Sequence, residues 1–296
     1  YESRPDVTIE AAASAFFSSN RILLKGGKEA RNTNLALIDG WKWSLQQHGV
    51  DQDWVQYLDL SREEMATWMQ QHERSLDLII PRGGQALIDH LKQSSSVPLL
   101  VSGRGNNFLY IHDDAQMDMA IALVRNGKSR LSVCNATDKV LIHRNWPIKA
   151  LQKLIDECVS TGLELVTLNP QMAKNCSSLY LASNQNLWEE EFLSAKLQLE
   201  WVDSSNEAID LINHHSGKHT AVIVCEAIET ATHFQQQADV ACVIHNASSR
   251  FTDGGQVGLG AEIAISTQKT HARGPVGPQH LVTNKWFISG GGQIRE

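Results

Sequence analysis

The cysteine thiols are the side chains with the clearest capacity for covalent chemistry. Cys225 and Cys242 fall in apolar, strand-like runs and Cys158 in a helical pattern, whereas Cys134 stands with Asn135 in a loop between two periodic segments. A thiolate attacks activated carbonyl groups, so Cys134 is a candidate nucleophile, with an inert loop cysteine as the alternative. The odd count of five, without a CxxC pair, argues against a disulfide scaffold and favours a reducing compartment.

Two glycine-containing turns offer cations where an anion could bind. Lys25-Gly26-Gly27-Lys28 follows a predicted strand and precedes a predicted helix, and Pro81-Arg82-Gly83-Gly84 repeats this layout one unit later. Backbone N–H groups and ammonium charges there could hold a ribose 2′-phosphate, although solvated lysines in a plain turn are an equally good interpretation. Gly255, Gly258 and Gly260 have the wrong order for a dinucleotide fingerprint. The twelve histidines are scattered and show no HExxH spacing, which predicts no metal site.

Length and composition exclude several classes of protein. The 296 residues are 42% hydrophobic and 20% charged, which is ordinary for a globular chain of about two domains. The net charge of −7 argues against a nucleic-acid binder, because such proteins need a basic face. No apolar run approaches the roughly 18 residues of a membrane span and no signal peptide is visible, so we expect a cytoplasmic protein. The chain opens at Tyr1 rather than at methionine, and we expect it to be part of a longer protein.

Elements that could position these residues alternate between helix and strand in the first hundred residues. Short apolar runs predict parallel strands, and the segments between them carry helical periodicity. Ser61 and Glu64 form a capping box that predicts the start of a helix. The predicted strands are 21–25, 54–60, 76–80 and 98–101, and the predicted helices are 8–18, 29–47 and 85–93.

A second α/β unit follows. Its predicted strands are 140–143, 196–202, 219–225 and 239–245, and its predicted helices are 117–128, 147–159, one capped by Ser204 and Glu207, and one from Ala227. The glycine-rich stretch 246–271 lacks periodicity. Loops of this length are usually functional or disordered, and its moderate apolar content favours an ordered loop. The tail at 280–288 could form a strand. The fold class is therefore α/β.

A family resemblance becomes visible in a series of motifs that cover the whole chain in order. They are YESRPDVT, ILLKGG, LIIPRGG, VCNA, EEEFLSAKL, NASSRFTDGGQVGLGAEIAISTQKTHARGP and NKW. Together these segments resemble the gamma-glutamyl phosphate reductases of the aldehyde dehydrogenase superfamily. The resemblance implies a Rossmann-type cofactor domain in residues 1–104, without its N-terminal part, and a catalytic domain in 105–275. It also implies that 276–296 form an oligomerisation strand.

The resemblance implies NADPH-dependent reduction of L-glutamyl 5-phosphate to glutamate 5-semialdehyde in proline biosynthesis. Cys134 matches the family's nucleophile, and the acyl phosphate would be converted there to a thioester. Because a free thiol is only a few per cent ionised at pH 7, we expect a positive local potential at Cys134. A homo-oligomer is implied, and glutamate 5-kinase is a possible partner for supplying the unstable acyl phosphate.

The resemblance also assigns residues around that nucleophile. Ser3 and the backbone N–H of Cys134 are the oxyanion candidates, with Asn135 beside them. The substrate candidates are Arg4, Arg250 and Arg273. The NADP(H) candidates are Lys25, Gly26, Gly27, Lys28, Pro81, Arg82, Gly83, Gly84, Glu191 and Phe192. Of these, Lys25 would contact the adenosine ribose, Lys28 would favour NADP over NAD, and Glu191 would hold the nicotinamide ribose.

Several positions depart from the family's pattern and keep alternatives open. Where the family has G-x-C-H-x-Y-V-D, this chain has Phe108 instead of the histidine and His112 instead of the aspartate. Where the family has E-T after VCNA, this chain has Asp138-Lys139. These changes leave open a non-catalytic protein of the same fold. A phosphate-independent NAD(P) aldehyde dehydrogenase is the other alternative, but residues 100–105 lack the carboxylate that would activate water for thioester hydrolysis.

Overall fold

A computed structural model describes residues 1, 4–72 and 75–295. Its centre is a seven-stranded sheet in the order β6-β5-β7-β4-β3-β8-β9, in which all the paired strands are parallel. The strands are β3 (Asn107–Ile111), β4 (Thr137–His143), β5 (Glu164–Thr167), β6 (Tyr180–Leu181), β7 (Lys196–Val202), β8 (Thr220–Val224) and β9 (Cys242–His245). Every residue of β3, β4 and β8 is buried, because helices cover both faces of these strands.

Helices pack on both sides of this sheet, as the predicted alternation requires. They are α5 (Met117–Gly127), α6 (Ile148–Ser160), α7 (Pro170–Asn175), α8 (Ser205–His215) and α9 (Ile228–Gln237). One cluster of buried side chains includes Leu109 and Leu154, and another includes Tyr110 and Phe234. Each fully buried aliphatic side chain contributes about 1.5–3 kcal/mol, so these two layers hold the sheet rigid at the site.

The first hundred residues form a smaller unit. Two strands pair in parallel, β1 (Ile22–Leu24) and β2 (Val55–Tyr57). The helices are α1 (Asp6–Phe17), α2 (Arg31–Gln47), α3 (Arg62–His72) and α4 (Gln85–Ser94). The hairpin of β10 (Ala264–Ser266) and β11 (Gly274–Val276) adds Ala264 and Val276 to the same core as Ala12 and Leu24. Residues near 270 therefore pack with the beginning of the chain, and the domain boundaries remain predictions.

The tail at 280–288 pairs with no strand of the described chain, and its predicted role as an oligomerisation strand, which needs a second copy of the chain, stays a prediction. Two sequence predictions about these elements are wrong in detail. Residues 76–80 and 98–101 form one parallel bridge, Ile79–Leu99, and no longer ladder, because Pro81 and Pro98 bound the two runs. At α8, Glu207 accepts from the N–H of Asp203 rather than from Ser204, which completes only half of the predicted capping box.

The predicted capping box at the start of α3 is confirmed. The Ser61–Glu64 box forms in both directions, at 2.7 and 3.2 Å. All five cysteines are free. No helix within the described ranges is both long enough and apolar enough to cross a bilayer.

Candidate functional site

The predicted nucleophile lies at the amino ends of β3 and β4. Cys134 is exposed in the loop before β4, while Cys158, Cys176 and Cys225 are buried and Cys242 is half-buried. Ligands of open parallel sheets usually bind at the carboxyl ends of the strands. The fold class therefore does not place this site, and the local chain path before β4 decides where Cys134 stands.

Asn107 holds the loop of Cys134 in place. Its fully buried side chain donates from Nδ2 to the carbonyl oxygens of Cys134 and Ala136, both at 2.7 Å, and its Oδ1 accepts from the N–H of Thr220 at 3.1 Å. Gly105 packs directly against the same loop, where a Cβ would come within 2.1 Å of the Cys134 carbonyl oxygen. The backbone of the nucleophile is thus fixed by β3 and β8.

Removing the Asn107 amide is expected to lower kcat/KM by about 100-fold, because misplacing a reactive group by an ångström has that effect. The measurement is steady-state kinetics of Asn107→Ala beside Asn213→Ala. Asn213 also binds two backbone groups, Gln237 O and Asp239 N, but it does so between α8 and the segment before β9. Equal losses in the two variants would contradict a specific role of Asn107.

The predicted catalytic Asn135 has a bracing role in the structure. Its buried side chain donates to Thr252 O at 3.0 Å and accepts from the guanidinium of Arg250, and its carbonyl accepts from Ser249 at 2.7 Å. The glycine-rich loop is therefore ordered, as predicted, and it supports the Cys134 loop through contacts separate from those of Asn107. Arg250 is used in this contact.

Two carboxylates lie near the thiol. The N–H of Gly105 favours the ionised form of Glu191, and Glu262 accepts from the N–H of Gly254 at 2.7 Å. Burial raises the pKa of both carboxyl groups. Glu262 was missed by sequence reasoning although it stands in the GLGAEIAIS motif, because nothing local indicates which side chain of that run turns toward Cys134.

The electrostatic environment of Cys134 differs from the expected positive potential. Although Cys134 is an exposed residue, the protein around its thiol removes part of the hydration and raises the pKa of the thiol to about 11, and the charges of Glu262 and Glu191 add to this effect. Arg82 opposes them and favours the thiolate. Its guanidinium donates to Ile263 O at 3.2 Å, next to Glu262, so this predicted cofactor residue also belongs to the surroundings of the nucleophile.

The other predicted residues are more scattered. Arg4 is largely exposed, pairs with Asp6, and interacts electrostatically with Cys134. Arg273 is bound to Asp239 at 2.9 Å, in a cluster with Lys218 and Lys269. Ser3 lies outside the described residues.

The turn after β1 contains the first predicted anion site. Lys25 is half-buried and donates to Gly26 O at 3.2 Å, and Lys28 is exposed at the start of a short 3₁₀ turn that leads into α2. A side chain at Gly26 would collide with Asn34, so the close approach of the chain requires glycine there. Gly27 and Gly84 stand in extended conformation immediately before a 3₁₀ turn and before α4, respectively.

A histidine–aspartate group follows the carboxyl end of β3, whereas Cys134 lies at the amino ends of the strands. His112, Asp113 and Asp114 bring their ligand atoms within 4.8 Å of one another. His112 Nδ1 is already hydrogen-bonded to Asp114 at 2.8 Å, and Asp114 accepts from Ala227 N. These bonds account for the group without an ion, and the absence of a metal site stays a prediction.

Comparison with known proteins shows similarity along the whole chain. No family model matches. A gamma-glutamyl phosphate reductase of Oceanobacillus iheyensis is 41% identical over 297 aligned residues, which cover 100% of this chain and 71% of the relative. The crystal structure of a gamma-glutamyl phosphate reductase from Thermotoga maritima has a TM-score of 0.94 at 34% identity, covering 100% of this chain and 71% of that one.

A more distant structure shows the fold. An acetylating aldehyde dehydrogenase from Geobacillus thermoglucosidasius matches with a TM-score of 0.76 at 17% identity, over 99% of this chain and 74% of that one. The predicted aldehyde dehydrogenase-like α/β fold is thereby confirmed.

Proposed function

The chain belongs to the gamma-glutamyl phosphate reductase family, and from this premise we propose that it reduces L-glutamyl 5-phosphate to glutamate 5-semialdehyde in proline biosynthesis, with Cys134 as the nucleophile. The observation that carries the assignment of the nucleophile is the position of Cys134. Among the five cysteines, Cys134 is the exposed one. Asn107 holds the backbone of its loop, and the charges of Arg82, Glu191 and Glu262 act on its thiol.

The proposed chemistry at Cys134 is acyl transfer to sulfur. The thiolate attacks the acyl carbonyl carbon, a C–S bond forms, and the C–O bond to phosphate breaks, so that inorganic phosphate leaves. Donors at the developing oxyanion stabilise this step, and the Cys134 N–H and Ser3 remain the candidates. Reduction of the thioester then yields the aldehyde and releases the thiolate.

A nicotinamide dinucleotide supplies the hydride for that reduction. The donor set fits such a group, since Lys25 and Lys28 offer ammonium charges for a phosphate, and Glu191 offers a carboxylate for ribose hydroxyls. We assign NADP(H) rather than NAD(H) on the strength of these two lysines. Phe192 and the turn at 81–84 complete the proposed set.

Among the arginines, Arg4 has the best support for binding the substrate's anionic groups, because its charge acts on Cys134. Arg250 and Arg273 would have to exchange their bonds to Asn135 and Asp239 to take part. A substrate-binding role of Arg250 and Arg273 stays part of the proposal.

The tail supports a homo-oligomer. Trp286, Phe287 and Ile288 are 87%, 83% and 91% exposed, although side chains of this type favour burial. We propose that this segment pairs with a second copy of the chain. A cytoplasmic location and a kinase that supplies the acyl phosphate stay part of the proposal.

The test is the reverse reaction, NADPH formation from glutamate 5-semialdehyde and NADP, with and without inorganic phosphate. We expect turnover to require phosphate and to fall when NAD replaces NADP. Glu191 and Glu262 place carboxylates near the thiol, and a carboxylate can activate water for thioester hydrolysis. The phosphate requirement therefore distinguishes a reductase from a hydrolysing dehydrogenase. Equal rates without phosphate would identify a hydrolysing aldehyde dehydrogenase, and no turnover in folded protein would favour the non-catalytic alternative.

A further inference from the structure

Lys139 is a fully buried lysine in the central strand β4, at a position where the family pattern has threonine. Its Nζ donates to the carbonyl oxygen of Glu190 at 2.6 Å and lies 3.7 Å from the centre of the Phe192 ring. Burying an ammonium group is costly unless it gains strong contacts. Both of these contacts are made to the segment that contains Glu191.

This segment, residues 189–192, is held at each of its residues. Arg104 donates to Glu189 O at 2.9 Å and Lys139 to Glu190 O. The N–H of Gly105 favours the ionised carboxylate of Glu191. The remaining contact joins the N–H of Phe192 to Asp138 Oδ2 at 2.8 Å. Lys139 is the group that contacts the segment on both sides of Glu191, through a backbone oxygen before it and an aromatic ring after it.

We propose that Lys139 is a positioning residue for the dinucleotide, and that protonation of this buried amine tunes the affinity by fastening residues 189–192. The inference rests on the proposed function, in which Glu191 holds a ribose of the cofactor and Phe192 belongs to the cofactor-binding set. Lys139 itself does not need to touch the cofactor, because it acts through the segment.

The charges around Lys139 set when it is protonated. Burial lowers the pKa of its ammonium from the ordinary 10.5 to about 7, and Lys128 and Lys196 push it in the same direction. Asp138 and Glu190 oppose this shift. The charge of the Asp138 carboxylate acts on both Lys139 and Lys128, because Lys128 Nζ lies 2.6 Å from Asp138 Oδ1. Glu191 also interacts with Lys139, because the charge of the Lys139 ammonium lowers the pKa of the Glu191 carboxyl and helps to keep it ionised.

Deprotonation removes the attraction between the cation and the Phe192 ring and the charge assistance of the bond to Glu190 O. Affinity for NADPH is therefore expected to be high below pH 7 and to fall by about tenfold as the pH rises to 9, the size of effect of one charge-assisted hydrogen bond. The direct measurement is the dissociation constant of NADPH for the full chain by nicotinamide fluorescence between pH 6 and 9.

Two variants of Lys139 sharpen the test. Lys139→Met should bind NADPH about tenfold more weakly at pH 6 and show little dependence on pH. Lys139→Arg keeps its charge at every pH used and should bind as tightly at pH 9 as at pH 6. Lys153→Met is the matched control, because that lysine is half-exposed on α6 and pairs with Asp118.

A second measurement needs no cofactor. Because the pKa of Lys139 is about 7 in the folded chain and 10.5 when unfolded, the unfolded state binds more protons between these values. Stability relative to Lys139→Met should therefore rise as the pH increases from 7 to 10.5. This measurement by urea denaturation reports on the buried amine independently of dinucleotide binding.

Glu191→Gln separates failure of the inference from failure of the proposed function. If Glu191→Gln leaves the NADPH dissociation constant unchanged, the cofactor role of the segment is wrong. If Glu191→Gln weakens binding while Lys139→Met binds like the wild type, the inference about Lys139 is overturned. A wild-type dissociation constant that is constant from pH 6 to 9 would overturn it as well, even if the methionine variant did not fold.

Discussion

Cys134→Ala is expected to lower kcat by on the order of 10⁴-fold or more while the protein stays folded, because removal of a covalent nucleophile eliminates the acyl-transfer step. The fold should be unaffected, since Cys134 is exposed and the anchoring bonds of its loop use its backbone carbonyl. The measurement is phosphate-dependent turnover, with thermal denaturation to verify folding.

Cys225→Ala provides the matched control. Burial raises the pKa of the Cys225 thiol to about 11 as well, so the two cysteines are equally weak acids but differ in exposure. We expect Cys225→Ala to keep turnover and to lose some stability. Turnover that survives Cys134→Ala would exclude the thioester route.

Alkylation of Cys134 by iodoacetamide should follow its high pKa. In protein without dinucleotide, the rate is expected to rise about tenfold per pH unit from 7 to 10, since only the thiolate reacts. Glu262→Gln removes a negative charge and should speed alkylation at fixed pH, whereas Arg82→Gln should slow it. Opposite changes would show that these charges do not reach the thiol.

The second large effect concerns stability. Asp138→Asn is expected to lower the free energy of unfolding by about 3–5 kcal/mol, because it leaves the buried ammonium of Lys128 without a counter-charge. Lys128 and Asp138 have side chains that are 1% and 2% exposed, and their charged atoms are 2.6 Å apart. Urea denaturation of the variant beside the wild type measures this difference.

Two controls distinguish a buried pair from charge effects in general. Asp118→Asn breaks the exposed pair with Lys153 and should change stability by less than about 1 kcal/mol. The double variant Lys128→Met with Asp138→Asn should recover much of the loss, because no unpaired charge remains. A loss as large for Asp118 as for Asp138 would contradict the argument from burial.

Patterns that depend on neighbouring residues predicted much of the fold. Alternating helix and strand periodicity places β4, β7, β8 and the helices between them, because such elements bury one continuous apolar face. The prediction of strands failed at 76–80 and 98–101, which form a single bridge. An apolar run indicates burial, but a ladder requires a second chain segment at hydrogen-bonding distance, and that is a property of the assembled structure.

The site shows the same division. Local context distinguished Cys134 from the other four cysteines, since a loop position between periodic segments exposes a thiol. The partners of Cys134 could not be predicted from its surroundings in the chain. Asn107, Glu191 and Glu262 are 27, 57 and 128 positions away from it, and only the folded chain brings them to one place.

The sequence by itself therefore determined most of the elements and the family, and it singled out Cys134 as the candidate nucleophile, because periodicity and motifs are encoded over short stretches. Tertiary structure alone decided the charge around the thiol. It placed Arg82 beside Cys134, engaged Arg250 and Arg273 in contacts with Asn135 and Asp239, and buried Lys139 under Phe192. The physical reason is that hydration and Coulomb interactions depend on distances in space, and these are set by the packing of the whole sheet.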